Sequence, residues 1–403
     1  MTDSFPSRQF LPDATIGVLG SGQLGRMFAI AAKQMGYQVH VFSPTPQSPA
    51  GQVADREVHA AYDNIQAVEE FARNVDVITL EFENVPVSTV DAAAQYAPVH
   101  PGRNVLETTQ HRLLEKEFLK GNGIPVAGFA AIKSLEDLHQ ASKTLTPGVL
   151  KTTTLGYDGK GQAVIGHADE IDSAWSSLET DEAILEAFID LDCEFSVVAA
   201  RCGDGRFKAF DPIRNEHRHH ILDVSVSPSG LSEEIILRAT EITGHVMQKL
   251  EVVGVLCIEF FLSRQGELMV NEIAPRCHNS GHLTIDSHVT SQFEQQVRAV
   301  CGLSLGSTRQ KEPAAMVNLL GDCWESGTPN WSTVLSIPEA KLHLYGKSTP
   351  AAKRKMGHIT TLAANPEEAI RRAVGAREAV HSGQPLPKLE EQDDALTTEA
   401  KSC

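Results

Sequence analysis

The sequence predicts a multidomain α/β protein, and three stretches carry that expectation. A short apolar strand runs into Gly20-Ser21-Gly22-Gln23-Leu24-Gly25 and then into a helix-period segment, the opening of a βαβ unit with a phosphate-sized turn at a helix N-terminus. A long glycine-rich loop, Thr152 to Gly161, separates two strand-like runs. Between Gly254 and Ile273 two apolar runs flank Ser263-Arg264-Gln265-Gly266, the pattern of a β-hairpin. With 403 residues the chain exceeds one ordinary core, so about two to four domains are expected.

Composition narrows the function classes. Hydrophobic residues make up 41% and charged ones 22%, ordinary for a soluble globular protein. A net charge of −17, from 35 basic and 52 acidic residues, argues against nucleic acid or an anionic membrane as partner. No run has the length of a membrane span, and Met1 to Ala14 lacks a basic-then-apolar leader layout, so a cytoplasmic location is expected. The 7 cysteines are scattered without CxxC spacing and read as reduced thiols in the core.

In chain order, Ile16–Leu19 is a buried-type strand, the following helix has Leu24, Met27, Phe28, Ala31 and Met35 on one face, and Gln38–Phe42 is a second strand. A dinucleotide site wants an acid at the end of that strand, where Ser43-Pro44-Thr45-Pro46 stands instead, so a Rossmann-like domain using its turn otherwise is the better reading. Val75–Leu80 is a third strand running into Glu81-Phe82-Glu83-Asn84. Carboxylates there either face a ligand at the sheet's carboxyl edge or cap the helix that begins near Val87. Thr109–Lys120 is an amphipathic helix with Leu113, Leu114, Phe118 and Leu119 inward; Arg112 near its start reads by periodicity as a surface residue.

The loop between strands Pro147–Lys151 and Gln162–Ile165 is longer than tight pairing requires. Its glycines let backbone N–H groups approach an anion, with Lys151 and Lys160 at its sides; a plain surface hairpin is the alternative. Next come Ala183–Ile189 with Glu186, a strand opened by Glu194, and His217, His219 and His220, which adjoin without a second ligand pair for zinc. Ile235, Ala239, Ile242, Val246 and Leu250 recur at helical spacing, as in a structural helix.

In the hairpin, a two-residue Gln265-Gly266 turn sets Arg264 against Glu267 and, counted back, Glu259 against Glu272 on one face, with Cβ atoms roughly 5 Å apart. Like charges so placed call for protonation or a cation, and Mg2+ suits a carboxylate pair completed by phosphate and water; a solvated polar stripe remains the alternative. Arg276, His278, Asn279 and Ser280 follow as a dense polar loop, suited to cradle an anion or substrate. From Pro313 the chain reads as a smaller strand-rich unit, with Lys347, Lys353, Arg354 and Lys355 as its densest positive group, either a phosphate grip or a solvated face. The acid-rich end from Gln384 is expected to be disordered.

GSGQLGRM, EFENVP, GYDGKGQ, NEIAPRCHNSGH and KMGHI, in that order, resemble the ATP-grasp enzymes and, more narrowly, the 5-(carboxyamino)imidazole ribonucleotide synthase family. The resemblance spans Ile16 to about Thr360 and implies an α/β (α+β) fold. Its parts would be a Rossmann-like N-terminal domain (1–108), a central two-lobed ATP-grasp domain (109–305, smaller lobe about 109–190, larger about 191–305), a small β-rich C-terminal domain (306–383) and a tail (384–403). It further implies a homodimer that uses ATP and bicarbonate to carboxylate the amino group of 5-aminoimidazole ribonucleotide through carboxyphosphate, with Mg2+, or Mn2+ in its place. For ATP the resemblance implies Arg112, Lys151, Gly156, Tyr157, Asp158, Gly159, Lys160, Gly161, Gln162, Glu186, Ala187, Phe188, Ile189, Glu194, His217, Asn271 and Glu272. For the metal it implies Glu259, Asn271 and Glu272, although the hairpin register turns Asn271 to the other face unless the strand end is distorted. Tyr157, Asp158, Arg276 and His278 would be catalytic, and Gln23, Glu81, Asn84, Asn279, Ser280, Lys347 and Arg354 would join Arg276 and His278 around the ribonucleotide. Thr152-Thr153-Thr154-Leu155 departs from the more basic, glycine-rich loop entry expected. Another ATP-grasp ligase or carboxylase, or more distantly a nicotinamide-dependent oxidoreductase, is the alternative.

Overall fold

A computed structural model describes residues 9–154, 161–325 and 327–382. Three sheets organise it. The first is fully parallel, in the order β3-β2-β1-β4-β5, from β1 (Thr15–Leu19), β2 (Gln38–Ser43), β3 (Arg56–His59), β4 (Val77–Leu80) and β5 (Val99–His100). The central strands β1 and β4 are almost wholly buried, whereas β2 opens with an exposed Gln38 and a half-buried His40 before its buried Val41, Phe42 and Ser43. β3 went unread in the sequence: Arg-Glu-Val-His at the sheet edge is half exposed and has no apolar run.

The second sheet, β6-β9-β7-β8, is antiparallel, from β6 (Phe129–Ile132), β7 (Gly148–Thr152), β8 (Gln162–Ile165) and β9 (Ala183–Ala187). Ile132, Leu150, Ile165 and Leu185 pack on Leu138 and Ile171 of the two helices that cover it.

The third sheet holds nine strands: β10 (Leu191–Arg201), β11 (Phe207–Ala209), β12 (Ile213–Arg218), β13 (Ile221–Ser227), β14 (Gly254–Ser263), β15 (Leu268–Ala274), β16 (Ala314–Leu320), β17 (Ala340–Leu344) and β18 (Lys355–Leu362). Their order is β15-β14-β10-β12-β13-β16-β18-β17, with β11 on β10. β16 pairs with β13, so the C-terminal strands extend the central sheet rather than forming one of their own. Helix Glu233–Lys249 covers one face. Helix Gln292–Val300 covers the other and shares a core with Ile16, Val18 and Phe28, and its Gln296 amide donates to the Thr79 hydroxyl at 2.7 Å.

Two local expectations are corrected. The 109–120 helix is broken: Arg103–Thr109 ends before Arg112–Gly121 begins. The inward residues of the second helix are Glu115, Lys116 and Leu119, whereas Leu114 is 47% exposed. The hairpin turn is three residues long, with Ser263 N–H donating to Glu267 O at 3.0 Å and Gly266 N–H to Ser263 O at 2.9 Å. Gly266 sits at φ +82°, where a residue without Cβ is needed. The acid-rich tail lies outside the described residues.

Candidate active site

At the glycine-rich turn the anion position is taken from within. Glu81, just past β4, accepts N–H from Gly22 at 2.8 Å and from Gly25 at 3.1 Å, and a Cβ on Gly20 would come within 2.4 Å of its Cγ. The carboxylate therefore caps the helix opened by Gln23 where a phosphate would sit in a dinucleotide site. Ser43, where a ribose acid would stand, shares a 2.5 Å hydrogen bond with Ser21. Helix Val87–Ala93 has no side-chain cap, so neither Glu81 nor Glu83 caps it; Glu83 instead pairs with Arg276. Asn84 is half-buried in the same segment.

Across the hairpin Glu259 and Glu272 are Cα partners. The shorter path through the three-residue turn pairs Leu262 with Leu268 and Phe260 with Val270, and a bulge between Glu259 and Phe260 absorbs the difference. Asn271 is the extra residue, half-buried like Glu272 beside it, so the distortion answers why Asn271 need not face away. Burial works against the charge of Glu259, yet hydrogen bonding from His278, whose Nε2 lies 3.1 Å away, and the charge of His217 hold it well below the usual carboxylate range. Glu272 lies 3.3 Å from the Arg112 guanidinium. Among the described residues no three His, Cys, Asp or Glu side chains form a ready metal cage. Two carboxylates and an amide, all hard oxygen donors, fit the partial set by which Mg2+ is held when phosphates and water complete its shell.

Beside the carboxylates lies a buried ionic cluster. Glu186 on β9 is 3.2 Å from both Lys116 and Lys151. Burial would raise its pKa, but Lys116, Lys151 and Arg112 bring it down to about 2. Burial pushes Lys151 down. Among the described residues Glu186 Oε1 is buried without a hydrogen-bond partner, so one acceptor of the cluster remains unsatisfied. Lys116 and Glu115 were missed in the sequence because their neighbours Leu113 and Leu114 suggested the opposite helix face; a buried Glu-Lys pair between leucines leaves no periodic signal. Arg112, read by periodicity as a surface residue, is mostly buried.

At the end of β9, Ala187 and Ile189 are half-buried and Phe188 is 54% exposed. Glu194 lies within β10 and pairs with His217 Nδ1 at 2.6 Å; that bond raises the His217 pKa against burial. Gly161 accepts from Thr152 N–H at 2.8 Å, and Gln162 contacts His220 at 3.3 Å. Gly156, Tyr157, Asp158, Gly159 and Lys160 lie outside the described residues.

The polar loop after β15 lies against Glu259 through His278 and against Glu83 through Arg276. Burial disfavours charge on His278, but Cys257 and Glu259 beside it hold the imidazole protonated, its pKa pushed up to about 10. Its Nδ1 is 2.9 Å from Ser280 Oγ, which continues through Ser196 (2.6 Å), Asn215 (3.1 Å) and Ser225 (2.9 Å) as a buried chain. Among the described residues both amide atoms of Asn279 are buried without partners. Lys347 donates to Lys355 O at 2.7 Å and is near enough to Glu81 to lower its pKa, though burial dominates and leaves it raised. Arg354 donates to Thr349 O at 2.7 Å.

This arrangement, two facing carboxylates and a lysine-carboxylate cradle between an antiparallel sheet and a larger one, has known counterparts. The chain matches the ribonucleotide synthetase preATP-grasp domain over 13–110, the ATP-grasp domain over 117–293 and the phosphoribosylaminoimidazole carboxylase C-terminal domain over 314–372. It is therefore an ATP-dependent enzyme of the ATP-grasp class. It is 42% identical to the N5-carboxyaminoimidazole ribonucleotide synthase of Bacillus subtilis, over 90% of this chain and 96% of that one. It is also 41% identical to the bifunctional purine synthesis protein purC/E of Dictyostelium discoideum, over 87% of this chain but 37% of that protein. Among solved structures it superposes on an ADP complex of N5-carboxyaminoimidazole ribonucleotide synthetase (41% identity, 94% of this chain and all of the other, TM-score 0.88). It likewise superposes on the Aspergillus clavatus synthase with ADP and 5-aminoimidazole ribonucleotide (29% identity, 91% and 98%, TM-score 0.85). The chain belongs to the N5-carboxyaminoimidazole ribonucleotide synthase family.

Proposed function

We propose that the protein carboxylates the amino group of 5-aminoimidazole ribonucleotide, using ATP and bicarbonate and releasing ADP and phosphate. The observation that carries this reading is the opposition of Glu259 and Glu272 with Asn271 bulged beside them, set directly against the Arg276–Asn279 loop. Mg2+ held there would neutralise charge as the γ-phosphoryl group moves. Lys151 and Arg112 orient the triphosphate, and Glu186 to Ile189 with Glu194 and His217 receive the adenosine. Residues 156–162 are assigned to the phosphates, where shielding from bulk water would preserve carboxyphosphate. Arg276 and a protonated His278 suit the anionic bicarbonate side, where Tyr157 and Asp158 join them. Asn279, Asn84 and Gln23 contact the imidazole and ribose, Glu81 and Ser280 support them from the capped turn and the buried hydroxyl chain, and Lys347 with Arg354 takes the ribose phosphate.

A division at about 108 and 305, a homodimer in solution and a cytoplasmic location complete the proposal; light scattering on the purified protein checks the dimer. No helix among the described residues is long and apolar enough to cross a membrane. The deciding assay is ADP release from ATP, Mg2+ and bicarbonate, with and without the ribonucleotide, on the wild type and Glu272→Gln. Turnover that needs the ribonucleotide and collapses by at least about a hundredfold in the variant is expected, since a metal-held charge supplies several kcal/mol of transition-state stabilisation. ADP release indifferent to the ribonucleotide rejects the substrate assignment.

A further inference from the structure

We infer that Glu115 and Lys116 are positioning residues that hold the β15 bulge in the shape that presents Asn271 and Glu272 beside Glu259. This deepens the metal reading above and rests on it. β15 ends the strand order of its sheet, and among the described residues its outward side meets only an isolated parallel bridge, Val126 with Val270. Its outward backbone groups are taken one by one from the opposite side. Val270 N–H donates to Pro125 O at 2.8 Å, Asn271 O accepts from Lys116 Nζ at 2.8 Å, and Ile273 N–H donates to Glu115 Oε2 at 3.1 Å. The two side chains thus grip the backbone on either side of Glu272, at the bulge itself.

A bulge gives up regular pairing, and a one-residue slip in the strand turns every side chain to the other face. Without the grip, Asn271 and Glu272 return to alternate faces. The chain also gives up stability here: Glu115 is 4% and Lys116 2% exposed while the adjoining Leu114 is 47% exposed, the reverse of what burial favours. Lys116 reaches Glu186 on the other sheet as well, so one ammonium ties the metal strand to the nucleotide cradle. Such placement against local preference marks function rather than packing.

The test uses the full-length protein with ADP and Mn2+, reading free Mn2+ by electron paramagnetic resonance, and ADP affinity in EDTA separately. Variants are Lys116→Met, Glu115→Ala and Glu115→Gln, with Glu272→Gln as control and circular dichroism to verify folding. Expected is about tenfold or greater loss of Mn2+ affinity in Lys116→Met and Glu115→Ala, the scale seen when partners of metal ligands are removed, with metal-free ADP affinity within about threefold. Glu115→Gln, whose amide oxygen still accepts from Ile273 N–H, stays within about threefold of wild type. Mn2+ affinity unchanged in Lys116→Met and Glu115→Ala while Glu272→Gln weakens it overturns the inference. Equal loss of metal-free ADP affinity also overturns it, because the residues then touch nucleotide. Mn2+ affinity unchanged in Glu272→Gln rejects the metal reading underneath. If Lys116→Met fails to fold, the contrast between Glu115→Ala and Glu115→Gln decides.

Discussion

Replacing Glu81 tests how the glycine-rich turn is used. Its carboxylate satisfies the Gly22 and Gly25 N–H groups, two donors of the helix's first turn with no intrahelical acceptor. In Glu81→Ala each buried donor left unpaired costs about 1–3 kcal/mol, and loss of an anion at the helix N-terminus costs about 0.3–1 kcal/mol more. Against this, burial already raises the Glu81 pKa, so deletion recovers part of the cost of desolvating a charge. A net local loss of about 2–3 kcal/mol remains, equivalent to about 30- to 150-fold in an opening equilibrium. Glu81→Gln falls between, because one amide oxygen serves one N–H while the NH2 group confronts the other. The chain has more than one domain, so a single global unfolding energy is not the right measure. Hydrogen–deuterium exchange of peptides covering residues 20–28 reads the opening directly. Acceleration confined to that segment, with peptides from β13 and β16 unchanged, is expected. Exchange in Glu81→Ala within threefold of wild type would refute the capping argument.

Three further outcomes follow from the same geometry. Burial, with the charge of Glu272, pushes Glu115 from 4.5 up to about 8 against the pull of Lys116; a raised carboxyl contributes stability that is complete below about pH 4.5 and lost as pH rises through about 8, on the order of 1.4 kcal/mol per unit. Glu115→Gln should therefore flatten the pH dependence of local opening between these limits, read by hydrogen–deuterium exchange of peptides covering residues 112–121 after correction for intrinsic exchange, and an unaltered slope would show that Glu115 titrates normally. Lys347→Ala should raise KM for the ribonucleotide about 10- to 150-fold with little change in kcat, as removal of a charged hydrogen bond to phosphate does; an unchanged KM moves the phosphate grip elsewhere. NADH titrated against the protein should give no fluorescence change, because Glu81 fills the turn and Ser43 replaces the ribose acid; saturable enhancement would overturn that account.

Much of the site was legible because its signals are short in range. Period-two alternation over Val255–Leu262 and the spacing to Glu272 were enough to oppose the two carboxylates, even though the turn was misjudged by one residue; the bulge compensated. The strand-turn-helix start and the strands around the long loop were equally local. The parallel edge strand β3, whose four residues alternate nothing, was not.

The sequence by itself determined the order of elements, the carboxylate pair and the motifs that align it with its family. Tertiary structure alone decided that Glu81 enters the glycine-rich turn instead of facing a ligand freely, that Glu83 holds Arg276, that the C-terminal strands join the central sheet, and that Glu115 and Lys116 point inward. The physical reason is common to all four. Periodicity reports which side of an element is apolar, but the burial of a charge depends on partners brought from far along the chain: Gly22 is 59 residues from Glu81, and Asn271 is 155 from Lys116.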